Sequence, residues 1–390
     1  MTHISNLIRN FHPNGVESTT LADLASISTG EQLNKTSFIE DGGFLVFNGG
    51  IGHSGRTSQP NTDAHTVIVS QGGASAGFVN FVTNPFWAGA HCYVLKPKAG
   101  LNERFLFFWL KSMESELRSR KQGAGIPGLS RSALASLSIP RISMELQLEI
   151  VKILDTFTEL EAELEAELEA RRKQYEYYRN QLLSFPEQGG VRWVPMGEVG
   201  TFFRGKGMPK SELQPAGFPA IHYGQLYTEY DVWADKTKNF ILPETLSSVS
   251  IAMKGDLLMA ISDVTPLNVG KAVAWVGDTD VAIGGDILAF RHKLDPKYLS
   301  YVIETDAFQR EKMSKVTGST VRHISSSALA KIVIPVPDLS VQLKIVGVLD
   351  ALRAITSDLQ SGLPAEIQAR RQQYEHYRDK LLTFKELKAS

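Results

Sequence analysis

The chain contains an internal repeat, so any fold that it adopts has to accommodate two similar halves. A colinear series of matches at a nearly constant offset of 195 to 199 residues indicates a duplicated unit. Because twice 195 is 390, the length of the chain, we predict two copies of one structural unit. Weaker echoes pair residues 16–24 with 191–199 and residues 105–106 with 298–299. The strong matches pair residues 129–140 with 324–335, 147–155 with 342–350 and 171–185 with 370–384, which are identical at seven of twelve, six of nine and ten of fifteen positions.

Composition excludes several classes of protein. The length of 390 residues suggests two or three domains, and a hydrophobic content of 43% lets each of them bury a core. The single cysteine, Cys92, excludes a disulfide framework and a zinc site built from cysteines, and it favours a reducing cytoplasm. Residues 1–15 lack a signal-peptide pattern, and no run of about 18 apolar residues is present, so we expect a soluble cytoplasmic protein.

Charge is nearly balanced over the whole chain but uneven along it. There are 41 Lys and Arg residues against 42 Asp and Glu residues, so no global basic field indicates a nucleic-acid partner. Residues 141–185 carry ten acidic and six basic side chains and form the most acidic segment. Contacts with a nucleic acid are therefore expected from local patches on other parts of the chain.

Each half is predicted to begin with a strand-rich part. There, short apolar runs are separated by Gly, Pro, Asn and Asp, which is typical of strands joined by turns. The predicted strands are residues 44–47, 66–69 and 91–95 in the first half and residues 256–260, 271–276 and 287–290 in the second.

Each half is predicted to end with a long helix, which begins after Pro140 or Pro337. Apolar residues recur there at steps of three and four, as one buried helix face requires. The two stripes would bury each other most simply, while packing of each helix on its own domain stays open. Gly362 to Pro364 should interrupt or kink the second helix. The stripe residues are Ile150, Leu154, Phe157, Leu160, Leu164, Leu168, Tyr175, Tyr178, Leu182 and Phe185, and in the second half Tyr374, Tyr377, Leu381 and Phe384.

Three short motifs resemble catalytic or nucleotide-binding signatures, and each lacks a feature that its chemistry needs. Residues 50–55 spell G-x-G-x-x-G, but the segment from Arg56 onwards is predicted as loop instead of the helix that holds a pyrophosphate. Residues 73–77 spell the nucleophile elbow G-x-S-x-G, but a strand is predicted over residues 78–82. Residues 84–87 are one proline short of the N-P-P-[YFW] tetrad of adenine-N6 methyltransferases. The sequence therefore predicts no catalytic site, and its scattered histidines predict no metal site.

Basic, amide and hydroxyl side chains collect in loops of both strand-rich parts. Such side chains match base edges and phosphates, and the glycines among them allow the backbone to approach a ligand closely. A solvated surface would explain any one loop, but recurrence in both halves favours DNA. The predicted DNA-binding residues are Arg56, Ser58, Gln71, Arg120, Lys121, Gln122 and Arg131 in the first half and Arg204, Lys206, Lys210, Tyr223, Gln225, Lys271, Thr320, Arg322 and His323 in the second.

Taken together, these features resemble the specificity subunits of type I restriction-modification systems. The resemblance covers nearly the whole chain and rests on residues 129–147 and 324–342, which run into two helix starts of the form I-V-x-[IV]-L-D. It also rests on the two segments of the form R-R-x-Q-Y-E-x-Y-R-x-x-L-L-x-F. The tandem units 161–164 and 165–168, both Glu-Ala-Glu-Leu, are similar to the four-residue spacer repeat of one branch of that family.

The resemblance implies an α+β fold with a pseudo-twofold internal repeat. Two mixed, strand-rich α/β target-recognition domains would be joined by two long helices that form an antiparallel coiled coil. Each recognition domain would read half of a bipartite DNA site. The implied domains are residues 1–142 and 187–337 for recognition, and residues 143–186 and 338–390 for the two spacer helices.

The resemblance also implies that partner subunits carry the chemistry. Two methyltransferase subunits, which bring S-adenosylmethionine, are expected to dock on the helices, and separate motor-nuclease subunits are expected to use ATP and Mg. The chain itself would bind double-stranded DNA, hold no cofactor and have no catalytic activity. The predicted subunit-docking residues are Tyr175, Tyr178, Arg179, Tyr374, Tyr377 and Arg378.

Two other functions stay open at the level of the sequence. The first is a solitary DNA adenine methyltransferase, which would transfer methyl groups as the purified chain. The second is a coiled-coil scaffold with no DNA role, which would show no sequence-selective binding at any salt concentration. Assays of methyl transfer and of DNA binding on the purified chain separate both from a specificity subunit.

The tandem spacer units predict the effect of an insertion. One more Glu-Ala-Glu-Leu unit after Leu168 lengthens the helix by about 6 Å, at about 1.5 Å per residue, whereas successive base pairs are about 3.4 Å apart. Since only one helix of the pair grows, we expect the gap between the half-sites to widen by about one base pair. Both half-sites should stay the same in a methylation map, and altered bases across a constant gap would contradict this interpretation.

Overall fold

The protein forms two compact units, of which the first combines two segments that are distant in the sequence and the second is one continuous segment. Residues 1–165 and 366–390 make up the first unit, and residues 166–365 make up the second. The predicted duplication is thus present as two bodies with their own cores. The computed structural model describes residues 15–121, 127–186, 190–357, 362–385 and 387.

The first unit contains two four-stranded sheets. An inner strand of one sheet, Thr66–Ser70, is buried along its whole length because both faces of that sheet are covered there. Val67 and Val69 belong to the core beneath the helix Glu103–Ser112, and Ile68 belongs to a core shared with the other sheet. In sheet order, the strands are Ala25–Thr29, Cys92–Pro97, Thr66–Ser70 and Val79–Val82 in one sheet, and Phe38–Ile39, Gly55–Thr57, Phe44–Phe47 and Trp87–Ala88 in the other.

The second unit repeats this plan with one additional edge strand. Leu257 and Met259 face the helix side of its central strand, and Leu258 faces the other sheet. All six predicted strands are confirmed, with ends shifted by two residues at most. In sheet order, the strands are Gly200–Arg204, Ile287–His292, Leu257–Ala260, Ala272–Trp275 and Trp233–Ala234 in one sheet, and Asn239–Ile241, Phe218–Ile221, Val281–Ile283 and Ser250–Ala252 in the other.

Short elements complete both units in matching positions. In each unit a two-stranded ladder lies just before the start of a helical region, at residue 144 in the first unit and at residue 339 in the second. This arrangement confirms the weak sequence echo between residues 16–24 and 191–199. The ladders are Ser18–Thr20 with Ser138–Pro140 and Arg192–Pro195 with Val333–Val336, and a further ladder pairs Ser262–Asp263 with Arg322–His323. The short helices are Leu21–Leu24, Glu103–Ser112, Glu114–Ser119, Arg131–Ala135, Met196–Val199, Gln225–Thr228, Pro296–Glu304, Asp306–Met313 and Ser326–Leu329, with 3-10 turns at Lys35–Ser37, Lys210–Glu212 and Pro243–Ser248.

The two predicted spacer helices differ in continuity. The long helix, Met144–Leu182, is a single element of 39 residues. The C-terminal region instead forms the penultimate helix, Leu339–Ser357, and the last helix, Leu363–Leu382. The interruption predicted at Gly362 to Pro364 is confirmed, and the spacer predicted as residues 338–390 is not one continuous helix. Pro364 lies in the first turn of the last helix, where its missing N–H breaks no helical hydrogen bond.

In the first unit, the long helix packs antiparallel against the last helix. The rings of Phe157 and Tyr377 stack with centroids 5.2 Å apart, and Arg371, closer to the start of the last helix, pairs with Glu161 and Glu165. These contacts confirm the predicted helix pair within this unit. The apolar stripe is buried most deeply near its beginning, because there it also packs on the recognition core.

A buried glutamine attaches the start of each helical region to its unit. Gln147 accepts a hydrogen bond from the Asn102 backbone N–H at 2.8 Å, and Gln342 accepts one from the Asp295 N–H at 2.8 Å. Each glutamine also donates to the carbonyl oxygen five residues before it. Asn102 and Asp295 are themselves the N-caps of corresponding helices. One side chain therefore links two helix starts in both copies of the repeat.

An ion pair repeats one to two turns further along. Arg104 Nε lies 2.7 Å from Asp155 Oδ1, and Lys297 Nζ lies 2.8 Å from Asp350 Oδ2. The two aspartates end the repeated I-V-x-[IV]-L-D segments, and their partners occupy corresponding positions of the two capped helices. The duplicated sequence thus encodes a duplicated set of polar contacts.

We expect Gln342→Met to lower the free energy of unfolding of the second unit by about 2–4 kcal/mol. The change removes the partners of the partly buried Asp295 N–H and of the buried Pro337 carbonyl. A buried group left without a partner costs about 1–3 kcal/mol, and the partly buried N–H lies at the low end of that range. Urea denaturation followed by tryptophan fluorescence measures the loss, since three of the five tryptophans, Trp193, Trp233 and Trp275, lie in the second unit.

Gln372→Met is the matched control for that experiment, because Gln372 is exposed. An equal effect of the two substitutions would show that the buried hydrogen bonds contribute nothing.

Candidate nucleic-acid interface

A close glycine contact joins two polar loops of the second unit. A Cβ atom added to Gly205 would lie 1.9 Å from the Gly284 carbonyl oxygen, so no other residue permits this approach. Beside this contact, the Arg204 guanidinium donates to the Gly285 carbonyl oxygen at 2.7 Å and pairs with Asp286 at 3.1 Å. The loops around Arg204 and Asp286 therefore form one surface.

His222 belongs to the same surface. Burial and then the nearby charge of Lys210 lower the pKa of His222, whereas Asp286 acts in the opposite direction. The ring of His222 lies 4.8 Å from that of Tyr223, and its backbone N–H donates to Gln225 Oε1 at 2.8 Å. Because Gln225 is buried, its side chain shapes this loop and does not face solvent.

Arg322 and His323 extend the surface through the ladder with residues 262–263. The preceding Ile261 N–H donates to the Asp286 carbonyl oxygen at 3.2 Å, which ties the ladder to the glycine contact. His323 is exposed, whereas the Arg322 guanidinium is bonded to a carbonyl oxygen of its own loop. We call this surface the second loop edge; it comprises residues 204–210, 222–225, 262–263, 284–286 and 322–323.

The predicted residues of the second half differ in how they are presented. Lys206, Lys210, Thr320 and His323 are exposed, as is the ion-paired Arg204. Lys271 is half-buried, and its ammonium donates to a backbone carbonyl at 2.8 Å. Burial also lowers the pKa of Lys271. Sequence reasoning missed residues 284–286, although a Gly-Gly-Asp turn between two buried strands was a usable signal.

The first unit has a corresponding edge, the first loop edge, made of residues 70–77, 91, 117–121 and 127–129. The Gln71 N–H donates to the His91 carbonyl oxygen at 2.9 Å, and the Leu129 N–H donates to the Gln71 carbonyl oxygen at 2.8 Å. The Lys121 ammonium donates to the Ala74 carbonyl oxygen at 3.2 Å. The structure thus brings Gln71 and Lys121, both predicted to bind DNA, to one turn.

The other predicted residues of the first half have different surroundings. Arg120 is paired at 2.5 Å with a glutamate one turn earlier. Arg131 is exposed at the start of a short helix. Arg56 and Ser58 lie at or next to the other sheet, where the Arg56 guanidinium donates to a loop carbonyl oxygen at 3.0 Å. Gln122 lies outside the described residues, so its predicted role stays a prediction.

The two loop edges share one backbone frame. Three long-range backbone hydrogen bonds recur in corresponding positions of the two units, with lengths between 2.6 and 3.2 Å. The frame is therefore inherited by both copies of the repeat. The corresponding donor–acceptor pairs are Gln71–His91 with Ile261–Asp286, Gly77–Ser70 with Gly270–Ala260, and Gly30–Cys92 with Gly205–Ile287.

This shared frame carries different side chains in the two units. The glycines matched by the frame are flanked by Thr29 and Glu31 in the first unit and by Arg204 and Lys206 in the second. A neutral and an acidic residue thus occupy the places of two basic residues. Two surfaces that share a backbone frame but carry different side chains are suited to binding two different ligands of the same chemical class.

Two of the residues predicted to dock subunits, Tyr175 and Arg179, make polar contacts within the second unit. Tyr175 is buried and donates to Glu304 at 2.9 Å, while Arg353 donates to Tyr175 Oη at 2.7 Å and to Glu304 at 3.1 Å. Burial raises the pKa of Tyr175, so its hydroxyl stays protonated. Arg179 is also buried, 3.7 Å from Glu304. Tyr175 and Arg179 therefore hold the long helix on this unit.

The corresponding tyrosines of the repeat are not equivalent. Tyr178 is 42% exposed and packs edge-on against Tyr177 at 5.4 Å, outside the buried stripe predicted for it. Tyr374 and Tyr377 pack on the core of the first unit, and the Arg378 guanidinium lies 5.7 Å from the centre of the Tyr374 ring. Of the four tyrosines, Tyr178 is the one presented to solvent.

The three short motifs that resemble catalytic or nucleotide-binding signatures form ordinary strands, turns and packing contacts. The G-x-G-x-x-G segment leads into the strand Gly55–Thr57, so the loop predicted from Arg56 is wrong there, and no helix follows. The G-x-S-x-G segment forms a turn before the strand Val79–Val82, as predicted. In the tetrad-like segment, the buried Phe86 exchanges two backbone hydrogen bonds of 3.0 Å with Thr62. These bonds give the segment a packing role.

In the part of the chain that the structure describes, no group of three His, Cys, Asp or Glu side chains is arranged to hold a metal ion. None of the described helices combines the length and the apolar character that a membrane span requires. Burial raises the pKa of the Cys92 thiol to about 11, so this residue is not an activated nucleophile.

The comparison with known families matches both copies of the repeat. A family model described as the type I restriction modification DNA specificity domain matches residues 13–170 and again residues 190–369. The EcoR124I/EcoR124II specificity subunit of Escherichia coli is 31% identical over 294 residues, which cover 72% of this chain and 70% of that protein. A putative type I restriction enzyme specificity subunit of Haemophilus influenzae is 30% identical over 335 residues, which cover 82% of each chain.

Two solved structures have the same fold. The crystal structure of a type I restriction-modification S subunit from M. genitalium aligns with a TM-score of 0.61 at 21% identity, over 94% of this chain and 96% of that one. A chain from a structure of the type I R-M system aligns with a TM-score of 0.60 at 18% identity, over 95% and 98%. At such identities the likeness is one of fold, and it confirms the predicted fold class.

We expect the double substitution Arg204→Ala and Lys206→Ala to weaken DNA binding and to reduce its salt dependence. Each lost phosphate contact should flatten the slope of log K against log salt by roughly 0.9. Titration of duplex DNA at several salt concentrations measures both effects.

Lys254→Ala is the control for this pair. Lys254 is exposed and paired with Asp278, at the end of the strand Leu257–Ala260 that is opposite the second loop edge. Unchanged affinity and slope in the double variant would show that the second loop edge does not contact DNA.

Proposed function

This chain belongs to the family of type I restriction-modification DNA specificity proteins, and from this membership we propose its function. It is the specificity subunit of a type I restriction-modification complex and has two recognition domains. We propose that it reads a bipartite site in double-stranded DNA, with one half-site contacted by each loop edge. The observation that carries this proposal is the shared backbone frame with different side chains at matched positions.

The frame supports this assignment on physical grounds. Glycine contacts such as Gly205 with Gly284 remove side-chain bulk, which lets backbone and flanking side chains approach a groove together. Lys206 and Lys210 supply mobile cations for phosphates, and His323 supplies a group that bonds base edges. Thr29 and Glu31 replace basic residues at the matched positions of the first unit, so the two units select different bases.

We further propose that the chain has no catalytic activity and works through partner subunits in the cytoplasm. Two methyltransferase subunits would bring S-adenosylmethionine, and motor-nuclease subunits would bring ATP and Mg. The exposed pair Tyr177 and Tyr178 on the long helix supports docking there, since aromatic side chains commonly anchor protein interfaces. The acidic character of residues 141–185 also favours a protein partner over DNA for this helix.

The exchange of one recognition domain tests this function. Residues 16–140 are replaced by the corresponding residues of a homologue with a different target, and methylated bases are mapped in the host genome. One half-site should change and the other should stay, because each unit has its own frame and core.

The reciprocal exchange of residues 191–335 is the matched control and should change only the other half-site. A change in both half-sites after either exchange would contradict the proposal. Methyl transfer by the purified chain alone would contradict the absence of catalytic activity.

A further inference from the structure

A loop beside the second loop edge presents apolar side chains to solvent. Val264 is 69% exposed and Leu267 is 65% exposed, the highest values among the large hydrophobic residues that the structure describes. Val321, in the neighbouring loop, is 43% exposed. Exposing such side chains together is unfavourable in water, so the site calls for an apolar contact in a complex.

The loop that carries Val264 and Leu267 is held in place by polar contacts. Asp263 Oδ1 accepts a hydrogen bond from the Thr265 N–H at 2.6 Å, which forms a tight turn. The fully buried Lys312 donates to the Leu267 carbonyl oxygen at 3.0 Å from beneath the loop. Leu267 is therefore exposed in a loop conformation that these hydrogen bonds hold in place.

Val264 and Val321 adjoin the same end of one ladder. Ser262 pairs with His323 and Asp263 pairs with Arg322 in antiparallel register, and Val264 directly follows and Val321 directly precedes these paired residues. The apolar group thus adjoins the second loop edge, whose basic side chains, Arg204, Lys206, Lys210 and Arg322, outnumber its two carboxylates, Asp263 and Asp286. This charge favours a polyanion over an apolar protein surface as the ligand.

The loop of the first unit that corresponds to the one carrying Val264 and Leu267 has a different composition. The segment between Ser70 and Gly77 corresponds in the frame to the segment between Ala260 and Gly270 and is three residues shorter. It contains Gln, Gly, Ala and Ser and no large apolar residue. Val264 and Leu267 therefore have no large apolar counterpart in that loop of the first unit, as expected of determinants of one half-site.

We propose that Val264, Leu267 and Val321 form an apolar contact that reads the 5-methyl group of thymine in the second half-site. This inference rests on the proposed function, since it requires the second loop edge to contact DNA. Among the four unmodified bases only thymine displays a methyl group in the major groove, and apolar side chains are the groups that contact it. The second half-site then contains at least one A·T pair whose thymine methyl group is buried by these residues.

The test uses the full chain and duplexes that carry the bipartite target identified by methylation mapping. In one probe, every thymine of the second half-site is replaced by deoxyuridine, which differs only by the missing methyl group. Wild-type protein should bind this probe more weakly, by about three- to fivefold for each methyl group lost from the contact. The same replacement in the first half-site should change binding in a way that does not depend on these three residues.

A protein variant tests the same contact from the side of the protein. Val264→Ala with Leu267→Ala should discriminate less between the thymine and deoxyuridine probes than the wild-type chain does, because most of the apolar surface that contacts the methyl group is removed. Both backbone anchors of the loop are retained in this variant. Met253→Ala is the control, since Met253 is 48% exposed beyond the opposite end of the strand Leu257–Ala260, and it should keep the wild-type discrimination.

Each other outcome overturns the inference. A second half-site without an A·T pair, or equal binding of both probes by wild-type protein, removes the methyl contact while the proposed function stands. Loss of subunit assembly with unchanged DNA discrimination in the double variant would assign the apolar group to a protein partner. Absence of any sequence-selective DNA binding by the wild-type chain would overturn the proposed function as well.

Discussion

The buried glutamine at the start of each helical region is the contact on which each unit depends. Gln147 and Gln342 lie in a short repeated segment, and each joins the first turn of a long helix to the N-cap of a helix in the recognition core. A buried glutamine amide without these hydrogen-bond partners would carry the full free-energy penalty of desolvation. The start of each helix is therefore fixed on the core of its own unit by one side chain, and the ion pairs and apolar contacts further along the helix add to this attachment.

From this contact outwards, the two units conserve their backbone and vary their side chains. The close approach of Gly205 and Gly284 and the long-range backbone bonds define the shape of the loop edge, and these contacts need no particular flanking residue. Arg204 and Lys206 can consequently be replaced by Thr29 and Glu31 at matched positions. A rigid frame with variable loops is the arrangement that allows one fold to serve different recognition tasks.

The loops predicted to bind DNA were recognisable from residue type, but their spatial arrangement was not. Three of the second-half loops do converge, and they converge on residues 284–286, which the sequence pattern did not single out. Gln225 and Lys271 have suitable side chains for DNA contact, yet the fold uses both to bond backbone groups. Residue type indicates what a side chain can bind, whereas the neighbouring backbone decides whether the side chain is available.

The sequence by itself determined the duplication, the strands, the long helix, the break near Pro364 and the family, because these depend on local periodicity and on repeated residues. Only the tertiary structure decided that Tyr175 is buried while Tyr178 is exposed, since a three-and-four spacing places both near one face without specifying what packs there. It also decided that the units divide the helical regions between them. Contacts between residues more than a hundred positions apart, such as Tyr175 with Glu304, leave no local pattern in the chain from which they could be inferred.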